Sequence, residues 1–319
     1  MNKVALRIFF CGTPGFAVPS LKALHSNPAI KIEGVITQPD RPRGRGQEIS
    51  ISPVARVAAE LGLPVHQPVK IRAEESRAMI EAAKLDAVVI IAYGQIIPQK
   101  LIELPRLGWI NVHASLLPKY RGAAPIQWAI VNGETRTGIT TMRIDAGLDT
   151  GPMLEKVELE IGARETAPEL SVRLAEAGAA LIGGTLEKLA SGAITPQKQD
   201  DSQAALAPIL KKEAGLIDWN CSAEQIYNRI RGLDPWPGTY SEFRGRQIQL
   251  WGRVGASEGS VGEGEIKVSG GEVSVGCGSS TWLRLTEVKL EGRKRVTARE
   301  FANGARIATG EKFGVVEPA

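Results

Sequence analysis

The chain has 319 residues, 43% hydrophobic and 23% charged, with a formal net charge of +4 and a pI near 8.9; this is ordinary globular composition, long enough for two domains. Cys11, Cys221 and Cys277 are odd in number and far apart, and His25, His66 and His113 are isolated, so neither a disulfide framework nor a metal is indicated. The most apolar run, residues 87–92, is too short for a membrane span, and Arg7 interrupts the only apolar stretch near the start, so a cytoplasmic protein is expected.

Residues 7–11 read as a buried strand that breaks at Gly12, Thr13, Pro14 and Gly15, and residues 17–24 then carry apolar side chains at helical spacing. The turn lacks the Gly-x-Gly-x-x-Gly spacing that brings a pyrophosphate to a helix N-terminus, which disfavours a dinucleotide. A second apolar run, 32–37, ends in Gln38, Pro39 and Asp40. The next stretch sets Arg41, Arg43 and Arg45 among Pro42, Gly44 and Gly46, which excludes a regular helix and reads as an exposed loop. By itself it is a solvated loop; three guanidinium groups so close also suit a phosphate counterion. Helical patterns at 53–62 and 74–83 alternate with strand-like 64–66 and 87–93. That alternation predicts a parallel sheet covered on both faces, with ligands beyond the carboxyl ends of its strands.

Residues 108–113 read as a further strand. Side chains alternate along it, so Trp109, Asn111 and His113 share one face and Ile110 and Val112 the other. An amide beside an imidazole, with Asp149 in the glycine-flanked loop that follows, makes a kit for acyl chemistry. The amide holds an oxyanion, the imidazole moves a proton, and the carboxylate orients the imidazole. The same spacing equally describes a hydrogen-bonded histidine in a half-buried strand, and Asp149 equally caps the segment after it. Arg121, in the corner after Pro118, either anchors a substrate anion or pairs with an acid such as Asp145.

Helices are predicted at 126–131 and 169–189, and residues 190–208, rich in Gln, Asp, Ser and Ala, read as a linker. A helix at 222–232 leads to a rigid turn at 234–238, with Trp236 expected in the core. Short alternating strands at 247–251, 264–268, 272–276 and 281–285 predict a small OB-like β-barrel. Arg229, Arg231, Arg244, Arg246, Lys289, Arg293, Lys294 and Arg295 accompany it, as an RNA-binding face or as solvated exterior.

Five N-terminal stretches carry a resemblance: residues 10–16, 37–42, 92–94, the run Asn111-Val112-His113-Ala114-Ser115-Leu116-Leu117-Pro118, and 147–151. With residues 217–219, 230–238, 298–301, 303–304 and 310–312, the chain resembles the methionyl-tRNA formyltransferase family over nearly its whole length. The resemblance implies an α/β fold: an N-terminal Rossmann-like parallel-sheet formyltransferase domain at 1–192, a linker at 193–211, and a C-terminal OB-like tRNA-binding barrel at 212–319. It implies transfer of a formyl group from 10-formyltetrahydrofolate to methionyl-initiator tRNA by a monomer, with no metal and no membrane. Asn111, His113 and Asp149 fall on the family's catalytic amide, histidine and aspartate. Folate binding is implied at Val88, Ile90, Ala92, Tyr93 and Gly94, and at Ser115, Leu116, Leu117 and Pro118. tRNA binding is implied at Arg41, Arg43 and above all Arg45. Two departures stand out: Gln47 and Glu48 replace the lysines usual after the Gly-Arg-Gly, and Gly15 replaces an acid. The rival readings are a folate-dependent enzyme with another acceptor, such as a sugar nucleotide, a hydrolase, or a non-catalytic RNA-binding protein.

Overall fold

The structure, a computed structural model, describes residues 5–43, 48–256, 259 and 262–314. The chain forms two compact units, Met1–Pro125 with Arg136–Glu160 and Glu169–Ala207, and Ile126–Thr135 with Ile161–Pro168 and Pro208–Ala319.

The first unit opens with β1 (Leu6–Gly12), α1 (Val18–Ser26) and β2 (Ile30–Ile36), followed by a two-stranded ribbon of β3 (Arg41–Arg43) and β4 (Glu48–Ser50). Then come α2 (Pro53–Glu60), β5 (Val65–His66), α3 (Glu74–Ala82), β6 (Ala87–Ile91), α4 (Gln99–Ile102), β7 (Trp109–His113) and β8 (Arg121–Gly122). After α5 (Pro125–Val131), which from Ile126 onward belongs to the second unit, follow β9 (Arg136–Arg143), β10 (Met153–Glu160), α6 (Ala167–Ser191) and β11 (Leu206–Ala207). Local rules explain the boundaries. Ser52 caps α2, its hydroxyl accepting from the Ala55 amide at 3.0 Å, and Pro53 stands where a helix has no use for an N–H. β6 is Ala-Val-Val-Ile-Ile, buried throughout, as a central parallel strand covered on both faces must be.

Among the described residues, seven strands form one sheet in the order β10-β9-β7-β6-β1-β2-β5. The strands from β7 to β5 are parallel, as the alternation of patterns predicts. The hairpin β9–β10 adds an antiparallel edge beside β7. Its strands carried no clear signal because β9 buries Thr137, Thr140 and Thr141, whose hydroxyls hydropathy scores as polar. Strand order reverses at β1, with β2 on one side and β6 on the other, so their carboxyl ends border a crevice.

Trp109 on one face of β7 joins a core with Val88, Ile90, Tyr93 and Ile80, and its indole N–H donates to the Leu101 carbonyl at 2.7 Å. On the other face Val112 meets α6 at Gly178, where a Cβ would lie 2.8 Å from Val112 Cγ1. Glycine is needed there for close approach of helix to strand. Gly178→Val should therefore destabilise the protein by about 1–3 kcal/mol through overpacking, read as a lower urea midpoint.

The second unit contains α7 (Ala223–Leu233), which begins with a reciprocal capping box between Ser222 and Gln225. Its strands are β12 (Tyr240–Phe243), β13 (Arg246–Val254), β14 (Ile266–Ser269), β15 (Glu272–Cys277), β16 (Thr281–Leu290) and β17 (Val296–Thr297), followed by α8 (Ala298–Ala305). The antiparallel path is β12-β13-β16-β15-β14, with β17 paired to β16. Gly314 bridges Glu242 at one edge and Lys312 bridges Glu265 beside the other, which closes the sheet into a small barrel. Trp219 stacks on Phe313 at 5.6 Å between centroids, and Phe243 meets Phe301 edge-on at 5.3 Å. These rings fill the interior, and Trp236 is not among them. Expected in the core, it is 57% exposed, because it sits in the turn between α7 and β12, where a connection runs over the surface. Among the described residues no helix is long and apolar enough to cross a membrane.

Candidate active site

β7 delivers Asn111 and His113 to one face, two residues apart, as its alternation requires. The loop from β9 to β10 leaves level with Trp109, where the Ile144 amide donates to the Trp109 carbonyl at 2.8 Å. It then returns Asp149 to the same face. Asn111 Nδ2 donates to Asp149 Oδ1 at 3.4 Å, and His113 Nδ1 lies 3.6 Å from Asp149 Oδ2. The Gly122 amide, on β8, also donates to Oδ2 at 2.9 Å. The three side chains singled out from the sequence thus meet. His113 is buried, and its Nε2 lies 2.9 Å from the Tyr120 carbonyl. A carbonyl only accepts, so Nε2 donates to it, and Nδ1 faces Asp149.

Other residues hold this arrangement. Asp145 accepts from the Gly147 amide at 3.0 Å and the Thr150 hydroxyl at 2.7 Å, pinning the loop. Arg121 pairs with Asp201 at 2.8 Å, in place of the Asp145 partner weighed from the sequence, because the chain at 199–207 runs beside β8. Asp145 is already occupied within its own loop. Neither Tyr120 nor Gly122 carried a sequence signal, since each acts through its backbone. Gln199, which touches the Asp149 loop, lay in a polar stretch without pattern.

The residues expected to bind folate divide by exposure. Ala92 and Gly94 are exposed just past the end of β6, and both have positive φ, +48° and +87°. Tyr93 between them is buried, and its hydroxyl has no hydrogen-bond partner among the described residues. Burial, and secondarily Cys11, raises its pKa, so it stays a neutral donor. Val88 and Ile90 are sealed in the sheet core. Ser115 and Leu117 are fully buried, the Ser115 hydroxyl donating to the Lys119 carbonyl at 2.6 Å, while Leu116 and Pro118 are half-buried.

Beside β6 a cleft of about 540 Å³ opens at the strand ends, lined by Thr13, Gln38, Ser52, Val69, Gly94 and Gln95 among others. Its rim is tied across two loops: Gln38 Nε2 donates to the Tyr93 carbonyl at 3.1 Å and Gln95 Nε2 donates to Gln38 Oε1 at 3.3 Å. This is the position at a switch in strand order where open α/β sheets hold ligands.

Of the arginine loop, Arg41 and Arg43 lie on β3, while Arg45 and Gln47 are outside the described residues. In the second unit Arg231 is not on a basic face. It is buried, donating to Asn228 Oδ1 at 2.9 Å and to the Gly162 and Glu165 carbonyls at 3.2 and 2.9 Å, which offset the cost of burying its charge. Lys289, Arg293 and Lys294 are exposed. Arg295 is also exposed, though engaged by Glu287 and by the Trp251 ring, 3.8 Å from its centroid.

Comparison with known proteins bears on which acyl chemistry this is. A family model described as formyl transferase matches residues 4–185, and one for the formyl transferase C-terminal domain matches 209–306. A methionyl-tRNA formyltransferase of Solibacter usitatus is 53% identical over 97% of this chain and 99% of that protein. The chain belongs to the methionyl-tRNA formyltransferase family. The protein of that name from Geobacter metallireducens is 49% identical, over 97% of this chain and 99% of its own. An N-formyltransferase from Helicobacter canadensis, solved with folinic acid and dTDP-3-aminofucose, shares the fold at a TM-score of 0.64. It is 18% identical, covering 88% of this chain and 98% of that one. Membership of the methionyl-tRNA formyltransferase family thus extends over both units, which the C-terminal match at 209–306 requires.

Proposed function

We propose that this protein moves the formyl group of 10-formyltetrahydrofolate to the α-amino group of methionine esterified to initiator tRNA, with Asn111, His113 and Asp149 doing the chemistry. The observation that carries this reading is the meeting of those three side chains in a chain 53% identical to a methionyl-tRNA formyltransferase.

The methionyl amine adds to the formyl carbon, the formyl oxygen becomes an oxyanion, and the amine must lose a proton. The carbon–nitrogen bond to folate then breaks, and the folate nitrogen takes a proton as it leaves. Asn111 Nδ2 has two hydrogens; one engages Asp149 and the other serves the oxyanion. His113 stabilises the oxyanion and gives a proton to the leaving nitrogen. Asp149 orients His113 and accepts the amine proton through water, then passes it to Nδ1, so that the pair is restored. Proposed folate contacts are Ala92, Tyr93 and Gly94 at the strand end and Leu116 and Pro118 after β7. The Tyr93 ring is packed in the core, so Tyr93 contributes to this wall through its backbone, beside the exposed Ala92 and Gly94. Val88, Ile90, Ser115 and Leu117 back that wall.

Arg41, Arg43 and Arg45 are proposed to grip the tRNA acceptor end. Arg45→Ala should raise KM for tRNA roughly tenfold with kcat nearly intact, and should lower the salt slope of binding by about one. An unchanged KM and slope would remove Arg45 from the interface. The site of action is proposed to be the cytoplasm, which suits three free cysteines. Offering methionyl-initiator tRNA and a dTDP-amino sugar in competition tests the acceptor. Formylation of the tRNA alone is expected; preferential formylation of the sugar would reverse the reading.

A further inference from the structure

We infer that Gln199 is a positioning residue for Asp149, and that residues 197–207 act as a strap rather than a passive connection. The inference rests on the assignment of Asp149 to the reaction.

Asp149 has φ +52°, in the left-handed region, a conformation that surrounding contacts must impose on a residue other than glycine. Gln199 imposes it. Its side chain is buried, and its Nε2 donates to the Asp149 carbonyl at 2.7 Å and to the Gly151 carbonyl at 2.8 Å. Both amide hydrogens are used, and they clamp the chain on either side of Thr150. Gln199 Oε1 accepts from Arg121 Nε at 3.0 Å, and Arg121, itself buried, is held by Asp201 at 2.8 Å. A cationic donor on Oε1 polarises the amide and strengthens both N–H donations.

The same strap reaches the Asp149 carboxylate by a second route. Leu206 and Ala207 pair in parallel with Arg121 and Gly122, and the Arg121 amide donates to the Ala205 carbonyl at 2.9 Å. That pairing fixes the Gly122 amide, which donates to Asp149 Oδ2. Gly122 has φ +123°, and a Cβ there would lie 2.6 Å from the Ala207 carbonyl oxygen, so the close pairing admits glycine. One segment therefore sets both the backbone and the carboxylate of Asp149. The polar composition that marked it as a linker supplies the amide and carboxylate that do so.

The experiment compares Gln199→Met, which removes donor and acceptor at similar volume, with Gln199→Glu, which keeps the acceptor for Arg121 and loses the donors. Each is made in the wild-type and Asp149→Asn backgrounds. In the wild-type background kcat should fall about tenfold or more in both variants, since a misplaced catalytic group costs rate. KM for 10-formyltetrahydrofolate should stay within about twofold, and Tm should show a folded protein. In the Asp149→Asn background the further loss should shrink to under about twofold, because the group being positioned has already been disabled. If Gln199→Met does not fold, Gln199→Glu decides. A kcat within twofold of wild type, or an undiminished loss in the Asp149→Asn background, would overturn the inference. Full activity of Asp149→Asn by itself would instead overturn the reading of Asp149, and the inference with it.

Discussion

Asp149→Asn should lower kcat/KM for formyl transfer by about 10³-fold or more, on the scale expected when an orienting carboxylate is neutralised beside a working histidine. The substitution keeps the shape and removes the charge. It also creates a conflict. An asparagine at 149 can satisfy the Gly122 amide only with its oxygen, which turns its own NH₂ toward Asn111 Nδ2, where Asp149 Oδ1 now accepts. Two donors then face each other, and Asn111 swings away from the oxyanion. Turning the amide over would leave the Gly122 amide without an acceptor. Folate KM should move little, because Asp149 is assigned to the reacting atoms and not to the pteridine wall. Steady-state kinetics with 10-formyltetrahydrofolate and methionyl-tRNA checks this, and a loss under about tenfold would contradict the role given to Asp149.

His113→Ala should cost about 10²–10⁴-fold in kcat, the range for removing a positioned acid–base group. The imidazole is held by the Tyr120 carbonyl at Nε2 and faces Asp149 across 3.6 Å at Nδ1, so a water in its place would not reproduce its orientation. His113 is also buried, and part of any loss of yield will be lost packing. Measuring folate binding alongside kcat separates the two. Binding should persist while turnover falls; a variant that turns over normally would return His113 to a structural role.

The parallel sheet was legible because β1, β2 and β6 are buried strands whose hydrophobic runs alternate with amphipathic helices. The placement of Asn111 and His113 on one face followed from strand alternation alone. Asp149 was legible only as an acid in a glycine-flanked loop, since nothing local says that a loop leaving β9 returns to β7. β9 escaped notice because its buried threonines bond within the fold: Thr140 Oγ1 donates to the Ser115 carbonyl at 2.7 Å and accepts from the Leu117 amide at 3.1 Å. Trp236 was misread because bulk and aromaticity suggest burial, whereas a tight turn leaves its ring outside. Arg231 was misread for the opposite reason, charge suggesting a surface while carbonyls from a distant segment take it inside. Gln199 shows the limit most clearly, because its partners lie about fifty and eighty positions away and only the folded chain brings them together.

On the proposed mechanism these residues pass a formyl group to an amine on tRNA and do not release it to water. The direct measurement counts tetrahydrofolate released and formylmethionyl-tRNA formed when purified protein is mixed with 10-formyltetrahydrofolate and methionyl-initiator tRNA. Equal amounts of the two products are predicted, with no release when tRNA is omitted. Tetrahydrofolate release without formylated tRNA, or no reaction at all, would contradict the account.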